Sequence, residues 1–141
     1  MGAVAKSGRA AIHSLTPHLV VRGAAEAILF YKKAFGGVEI RRSMSPDAEK
    51  VMFAELEIGA GRVYLNDEFP NWGVHSPLEI KGTAVTMHLS VSEADPIYAQ
   101  AVAAGCQVVM ELADQFWGHR YAILEDPFGH RWSIGAAIRK N

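Results

Sequence analysis

The chain contains two similar halves, and this internal repeat limits the folds open to it more than any other feature. The segment "TPHLVVRGAAEAILFYKKAFGG" from Thr16 aligns with "TMHLSVSEADPIYAQAVAAGCQ" from Thr86. Further along, "FAELEIGAG" from Phe53 aligns with "YAILEDPFG" from Tyr121 at nearly the same separation. Repeated segments of this kind indicate one structural unit that is used twice. We therefore expect two halves with the same order of elements.

Each half is predicted to form a strand, a helix and three further strands. In the first half, "LTPHLVV" is a strand, and "GAAEAILFYKKAF" is a helix with an apolar stripe that Gly36 ends. In the second half, "AVTMHLSV" is a strand, Ser92 and Asp95 form a capping box, and Gly105 ends the helix. The predicted fold class is α+β, with two tandem βαβββ modules in one compact domain. The expected boundaries are an N-terminal extension 1–13, a first module 14–70, a linker 71–82 and a second module 83–138.

Composition limits the partners and the compartment. The 141 residues include 14 Lys and Arg against 15 Asp and Glu, so no basic field is present to bind nucleic acid or an anionic membrane. A small-molecule ligand is therefore the expected partner. Cys106 is the only cysteine, which excludes an internal disulfide and is typical of a reducing compartment. No apolar run is long enough for a signal peptide core or a membrane span, so we expect a soluble, cytoplasmic protein.

Alternation along the strands predicts two faces of different chemistry. One face is apolar and suits helix packing, whereas the other combines rings, hydroxyls, amides and carboxylates. That mixture is typical of a concave ligand site, although a sheet with one solvated side is the common alternative. Histidines at matching positions in both halves favour the ligand site. With Trp117 from a neighbouring loop, the candidate ligand-binding residues are His18, Phe53, Tyr64, Asn66, Thr86, His88, Trp117, Tyr121 and Ser133.

The segment "DPFGHRWSIG" near the end of the chain carries several polar and aromatic residues close together. Asp126 to Gly129 fit a type I turn, with Asp, Pro and Gly at their preferred positions. His130 is then expected to begin a strand in which Trp132 and Ile134 face the core. Ser133 consequently faces the candidate site.

The repeated units, together with "AFGG", "VYLNDE" and "FWGHRYAILEDPFGHRW", resemble the vicinal oxygen chelate superfamily of glyoxalases, bleomycin-resistance proteins and extradiol dioxygenases. The motifs and the length are most similar to its PhnB-like branch. This resemblance implies curved mixed sheets around a central cavity, and a homodimer in which a second subunit often completes that cavity.

The resemblance also locates the metal ligands of the metal-dependent members, and this sequence lacks them. The four corresponding positions hold Thr16, Tyr64, Thr86 and Ser133, none of which is a good ligand for a divalent ion. We therefore expect no cofactor. A displaced divalent-metal site is the alternative, because two histidines and one carboxylate on the same face could ligate an ion. That set would be His18, His88 and Glu55.

Two functions follow from these expectations. The first is a metal-independent protein that binds a hydrophobic or aromatic metabolite or antibiotic, as bleomycin-binding relatives do, with a role in antibiotic resistance. The second is a lyase, isomerase or dioxygenase that uses the displaced metal site or Glu55 as a general base. Arg41, Arg42 and Arg120 could each orient an anionic ligand, and alternation allows only one of Arg41 and Arg42 to face the cavity.

Overall fold

The structure is a computed structural model that describes residues 10–139. The first nine residues of the predicted extension 1–13 lie outside the described residues. In chain order the elements are β1 (His18–Val21), α1 (Ala24–Phe35), β2 (Val38–Met44), β3 (Val51–Ile58), β4 (Gly61–Asp67), α2 (Pro77–Ile80), β5 (Thr86–Ser90), α3 (Ala94–Ala104), β6 (Gln107–Asp114), β7 (His119–Glu125) and β8 (Arg131–Ala137). A short 3-10 turn, Pro70–Trp72, lies between β4 and α2.

Each half forms its own four-stranded mixed sheet, which confirms the predicted fold class. The strand orders are β1-β4-β3-β2 and β5-β8-β7-β6. In both sheets the first strand pairs in parallel with the last, while the other pairings are antiparallel. A parallel pairing needs a long crossover connection, and the path through the helix and the next two strands supplies it. The repeat in the sequence is therefore a repeat in topology.

The core lies between the helices and the apolar faces of the two sheets. Helices α1 and α3 pack against each other across the module boundary. The α1 stripe is buried as expected, and the Tyr31 ring packs against Trp132 of the second module with centroids 5.4 Å apart. Gly36 ends α1 in the left-handed conformation at φ 68°. At its other end, Asp67 accepts hydrogen bonds from the backbone N–H groups of Gly23 and Ala24.

Three local predictions were wrong. The first strand begins at His18 rather than Leu15; Pro17 has no N–H to donate and only accepts a bond from Tyr64 through its carbonyl. Ser92 and Asp95 form no capping box, because the N-cap of α3 is Glu93, without a side-chain cap bond, and Asp95 pairs with Arg120.

The third error concerns His130, which precedes β8 instead of beginning it. Its ring lies buried between the modules, where Nε2 donates to the carbonyl of Val20 at 2.9 Å. The turn predicted before it is confirmed as a β-turn by the bond from the N–H of Gly129 to the carbonyl of Asp126. This turn is therefore also a contact between the two halves.

The buried carboxylate of Asp126 is the polar centre of that contact. Oδ2 accepts from Tyr31 Oη at 2.5 Å and from Trp132 Nε1 at 2.9 Å. Oδ1 accepts from the backbone N–H groups of Phe128 and His130. We call these five residues the Asp126 cluster. Its hydrogen bonds join α1 of the first module to the β7–β8 turn of the second.

The linker between the modules packs against the first strand. Helix α2 lies next to β1, and Gly129 of the β7–β8 turn lies so close to Pro77 that an added Cβ would come within 2.8 Å of it. No helix within residues 10–139 is long and apolar enough to cross a membrane.

Candidate functional site

The sheet face opposite the helix in the first module brings four predicted site residues together. His18 on β1 donates from Nε2 to Oδ1 of Asn66 on β4. Its ring meets those of Phe53 and Tyr64 edge-on, with centroids 6.2 and 5.8 Å apart. The Phe53 and Tyr64 centroids are 4.9 Å apart. Because these side chains come from three adjacent strands with matching alternation, they form one continuous surface.

Glu55 lies in the same surface, between two arginines. Its residue is only 7% exposed, and Oε1 pairs with Nε of Arg41 at 2.9 Å while Oε2 pairs with Arg62. Both carboxylate oxygens are therefore engaged in ion pairs. Arg41 also lies over the Phe53 ring, 5.3 Å from its centroid.

The contacts of Arg41 answer the question of which arginine joins the candidate site. Arg41 is opposite Glu55 in the β2–β3 register and shares its face. Arg42 points to the other side, where it makes two hydrogen bonds to Glu39. The first-module face is therefore formed by His18, Arg41, Phe53, Glu55, Arg62, Tyr64 and Asn66.

The second module has its own face with different chemistry. His88 on β5 forms a hydrogen bond of 2.7 Å between Nδ1 and Oγ of Ser133. Its ring stacks on Tyr121, with centroids 6.0 Å apart and an angle of 21° between the planes. Gly135 leaves room for this ring, because an added Cβ would lie 2.8 Å from Cε1 of His88.

Trp117 extends this second face from the loop between β6 and β7. Its ring meets Tyr121 edge-on at 5.6 Å and is 46% exposed. Phe116 beside it is 97% exposed and contacts Trp117 edge-on at 5.2 Å. The second-module face is thus formed by His88, Met110, Trp117, Tyr121, Ile123 and Ser133.

The register of the strands shows how the two faces have diverged from one repeat. Arg41 pairs with Glu55 where the second module pairs Met110 with Ile123. Tyr64 stands opposite His18 where Ser133 stands opposite His88. At these positions the first face is charged, whereas the second is apolar and aromatic. At the next position both modules keep an arginine opposite a glutamate, Arg62 with Glu57 and Arg131 with Glu125.

The structure does not bring all predicted site residues into one cluster. Within the described part of the chain, no hydrogen bond or ring contact links the first-module face to the second-module face. Thr86 joins neither group; it is exposed at the sheet edge, opposite Arg131 in the register.

The donor sets do not suit a divalent metal. Across residues 10–139, no group of three or more His, Cys, Asp or Glu side chains is placed to hold an ion. The displaced set of His18, His88 and Glu55 is therefore not assembled. The two histidines lie in separate sheets, each bonded to a neutral side chain, and the carboxylate is bonded to arginines.

Arg62 is the main site residue that the sequence analysis did not consider. It lies two residues before Tyr64 on β4, so the alternation that placed Tyr64 on this face places Arg62 there too. The sequence could have indicated this residue, because strand pairing places an arginine opposite Glu57 and beside Glu55. Met110 and Ile123 carried no such signal, because apolar residues on strands are expected in cores.

Comparisons with known proteins agree with this architecture. A family model described as "Glyoxalase/Bleomycin resistance protein/Dioxygenase superfamily" matches residues 11–134. The uncharacterized protein Mb0911c of Mycobacterium bovis is 47% identical over 130 residues, which cover 90% of this chain and 85% of that protein. The solved structure of the Arabidopsis thaliana gene product At5g48480 is 26% identical with a TM-score of 0.71, over 88% of this chain and 98% of that one.

A further solved structure is similar in fold alone. The fosfomycin resistance protein FosX of Listeria monocytogenes, complexed with Mn(II) and sulfate, is 17% identical with a TM-score of 0.68. The match covers 91% of this chain and 93% of that one. The family model spans both modules, and the tandem βαβββ topology agrees with it. The chain belongs to the glyoxalase/bleomycin resistance protein/dioxygenase superfamily.

Proposed function

We propose that this protein binds a hydrophobic or aromatic small molecule without a metal ion and acts by capturing it. The observation that carries the proposal is the ring array of the second-module face, in which Trp117, Tyr121 and His88 follow one another in contact. A flat ligand gains large contact area from such rings, and few rotamers have to be frozen on binding. Met110 and Ile123 supply an apolar surface beside the array.

Polar groups at the edge of the array support selective binding. The His88 ring is held by Ser133 through Nδ1, which leaves its other nitrogen for a ligand hydroxyl or carbonyl. Small-molecule sites usually combine a few polar groups with many apolar ones. The charged face of the first module offers a second kind of contact, since the side chain of Arg41 is 64% exposed and its guanidinium suits an anionic substituent.

We also propose membership of the PhnB-like branch, and capture of an antibiotic as one form of the function. The branch assignment rests on the motifs "AFGG" and "FWGHRYAILEDPFGHRW". A role against antibiotics has been named for a protein of the same fold, FosX. Its low identity supports the fold alone, so the ligand has to be identified by experiment.

Fluorescence of Trp117 provides the experiment. Aromatic antibiotics and metabolites are screened by thermal shift and then titrated while tryptophan emission is recorded. A ligand at a hundredfold excess over its dissociation constant should add about 2.7 kcal/mol to the free energy of unfolding. Trp117→Phe should remove most of the emission change and weaken binding.

Trp72→Phe is the matched control, because Trp72 is exposed in the linker and stacks on Phe69 outside both faces. Its variant should bind as the original chain does. If no compound of any class shifts the melting temperature, or if Trp117→Phe binds unchanged, the proposal is wrong.

An enzyme that uses Glu55 as a general base is the competing function. The burial of this carboxylate on a site face is in its favour, but a proton can reach it only if an ion pair with Arg41 or Arg62 opens. Turnover of hemithioacetals or catechols would be measured after reloading the protein with Zn, Ni, Mn or Fe(II), together with the bound metal. If the protein turns over one of these substrates and Glu55→Gln abolishes that activity, the function is catalysis rather than capture.

A further inference from the structure

The guanidinium of Arg41 on the first-module face keeps hydrogen-bond donors that the fold does not use. Arg41 pairs with Glu55 through Nε at 2.9 Å, and across residues 10–139 it forms no second ion pair. Its side chain is 64% exposed. Because Nε makes this pair, Nη1 and Nη2 remain as donors for another acceptor.

The other two arginines of this region are more fully engaged. Nε and Nη2 of Arg42 both donate to Glu39, at 2.8 and 3.0 Å, and the Arg42 side chain is 29% exposed. Arg62 is shared between Glu55 and Glu57. Among these three arginines, Arg41 therefore has the most capacity to bind a further anion.

A buried carboxylate holds the guanidinium of Arg41 in place. Glu55 is mostly buried, and its two oxygens pair with different arginines, so its position is fixed from both sides. The guanidinium also lies over the Phe53 ring, 5.3 Å from its centroid. A side chain that is already held at two points loses little conformational freedom when a ligand binds. Arg41 is thus preorganised for an anion.

The charges of this face are separated along β3. Phe53 and Glu57 lie on opposite sides of Glu55, two residues away in each direction. Arg41 lies toward Phe53, whereas Arg62 reaches Glu57 at 3.4 Å. An anion that binds beside Arg41 and the Phe53 ring is therefore remote from the negative charge of Glu57.

Aromatic rings form a wall next to this guanidinium. Phe53 and Tyr64 are in contact at 4.9 Å, and His18 meets both rings edge-on. Ser43 lies opposite Phe53 in the β2–β3 register and is exposed on the same face, where its hydroxyl is a further donor. A flat ligand gains contact area from the rings, while a carboxylate on that ligand meets donors at their edge.

We infer that the first-module face is a binding site for aromatic carboxylates, separate from the ring array of the second module. The ligand carboxylate accepts from Nη1 and Nη2 of Arg41, and the ligand ring packs against Phe53 and Tyr64. Glu55 is a positioning residue in this site, because it acts on the ligand only by holding Arg41. The inference takes the anionic contact of the proposed function further, and it does not require the ring array to bind anything.

Binding of naphthoate to the full chain tests the inference, with naphthamide as the neutral analogue of the same shape. Naphthoate should shift the Nε–Hε NMR signal of Arg41, which is identified by its absence from Arg41→Gln, and naphthamide should not. Affinities are taken from the backbone N–H signals of β2 and β3. Arg41→Gln should weaken naphthoate binding at least about tenfold, because charge-assisted hydrogen bonds are lost.

Arg42→Gln is the matched control, because Arg42 lies next in the same strand on its other face and pairs with Glu39. It should bind naphthoate as the original chain does. An Arg41 signal that naphthoate leaves in place, or equal affinities in Arg41→Gln and the original chain, would overturn the inference.

The repeat supplies a control for the ring contact, because Phe53 aligns with Tyr121 of the second module. Phe53→Leu should weaken naphthoate binding about fivefold through the lost ring contact, whereas Tyr121→Leu should leave it unchanged. If Tyr121→Leu weakens binding as much as Phe53→Leu does, the two faces are not separate sites and the inference is wrong. Capture by the ring array is tested through Trp117 and is not decided by this result.

Glu55→Gln tests the positioning role through the sign of its effect. The amide oxygen can still accept from Nε of Arg41, while the negative charge next to the bound carboxylate is removed. Naphthoate should therefore bind more tightly to this variant, which a purely structural role of Glu55 would not produce. Circular dichroism verifies that the variant folds. Unchanged or weaker binding by a folded Glu55→Gln chain would contradict the assigned position of the ligand.

Discussion

Tyr31 on α1 donates its hydroxyl hydrogen to Oδ2 of Asp126 at 2.5 Å, and the two residues belong to different modules. The same oxygen accepts from Trp132, and the other oxygen accepts two backbone N–H groups. Asp126 is only 3% exposed, so these donors replace water completely. One carboxylate therefore joins the helix of the first half to the turn of the second.

Replacing Asp126 should destabilise the protein more than any replacement on the two faces. Asp126→Ala leaves four donors without an acceptor, and each buried unsatisfied group costs about 1–3 kcal/mol. We expect a loss of more than about 3 kcal/mol in the free energy of unfolding, measured by urea denaturation. Tyr31→Phe removes one bond of four and should cost about 1–2 kcal/mol. An Asp126→Ala protein as stable as the original would refute the role of this cluster.

Stability should fall at alkaline pH. Burial, followed by the charge of Asp126, raises the pKa of Tyr31 well above its usual value and that of Cys106 to about 12. The unfolded chain loses these protons at ordinary pKa values, so above about pH 9 the native state binds more protons than the unfolded state. Below that pH these two groups do not reduce the free energy of unfolding. Above it, the free energy of unfolding declines by up to about 1.4 kcal/mol per pH unit for each group.

Cys106→Ala is the variant that isolates one of these two groups. Between pH 9 and 11, its free energy of unfolding should fall less steeply than that of the original chain. At neutral pH its free energy of unfolding should be lower, because the substitution shortens a buried side chain. Equilibrium unfolding at a series of pH values measures both slopes. Parallel curves for the two proteins would contradict the shifted thiol pKa.

The charged pair on the first face should be exchangeable for the apolar pair of the second. Arg41→Met with Glu55→Ile copies Met110 and Ile123, and we expect a change in stability within about 1 kcal/mol, because an ion pair whose arginine is 64% exposed contributes little to stability. Arg41→Met alone leaves the buried carboxylate with one partner and should cost more. Arg42→Met serves as the control on the opposite face of the strand. A double-mutant cycle in urea would show whether the two substitutions compensate each other.

Substitution by alanine should affect stability differently at two glycines. Gly135→Ala comes too close only to the end of the His88 side chain, since Tyr121 lies at an ordinary 3.6 Å, so it should leave stability nearly unchanged while displacing the His88 ring from Tyr121. Ligand affinity should then fall about fivefold, in line with about 1 kcal/mol for a lost ring contact. Gly129→Ala meets Pro77 at 2.8 Å with φ at +90°, and should cost more than about 2 kcal/mol. Thermal unfolding and ligand titration of both variants measure the contrast.

The sequence predicted the two modules and the face on which each strand residue lies, because alternation and repetition are local properties. His18, Phe53, Tyr64 and Asn66 do form one surface, and Trp132 does face the core. Distances between sheets are not encoded in alternation, so the separation of His18 from His88 was not foreseeable. Turn preferences likewise identified Asp126 without indicating what its carboxylate would accept.

The Asp126 cluster also shows that the two repeated halves depend on each other for hydrogen bonds. Here the first half supplies the Tyr31 hydroxyl that the second needs, and the second supplies the His130 ring that covers the backbone of the first. Deleting either half would therefore remove hydrogen bonds from the half that remains.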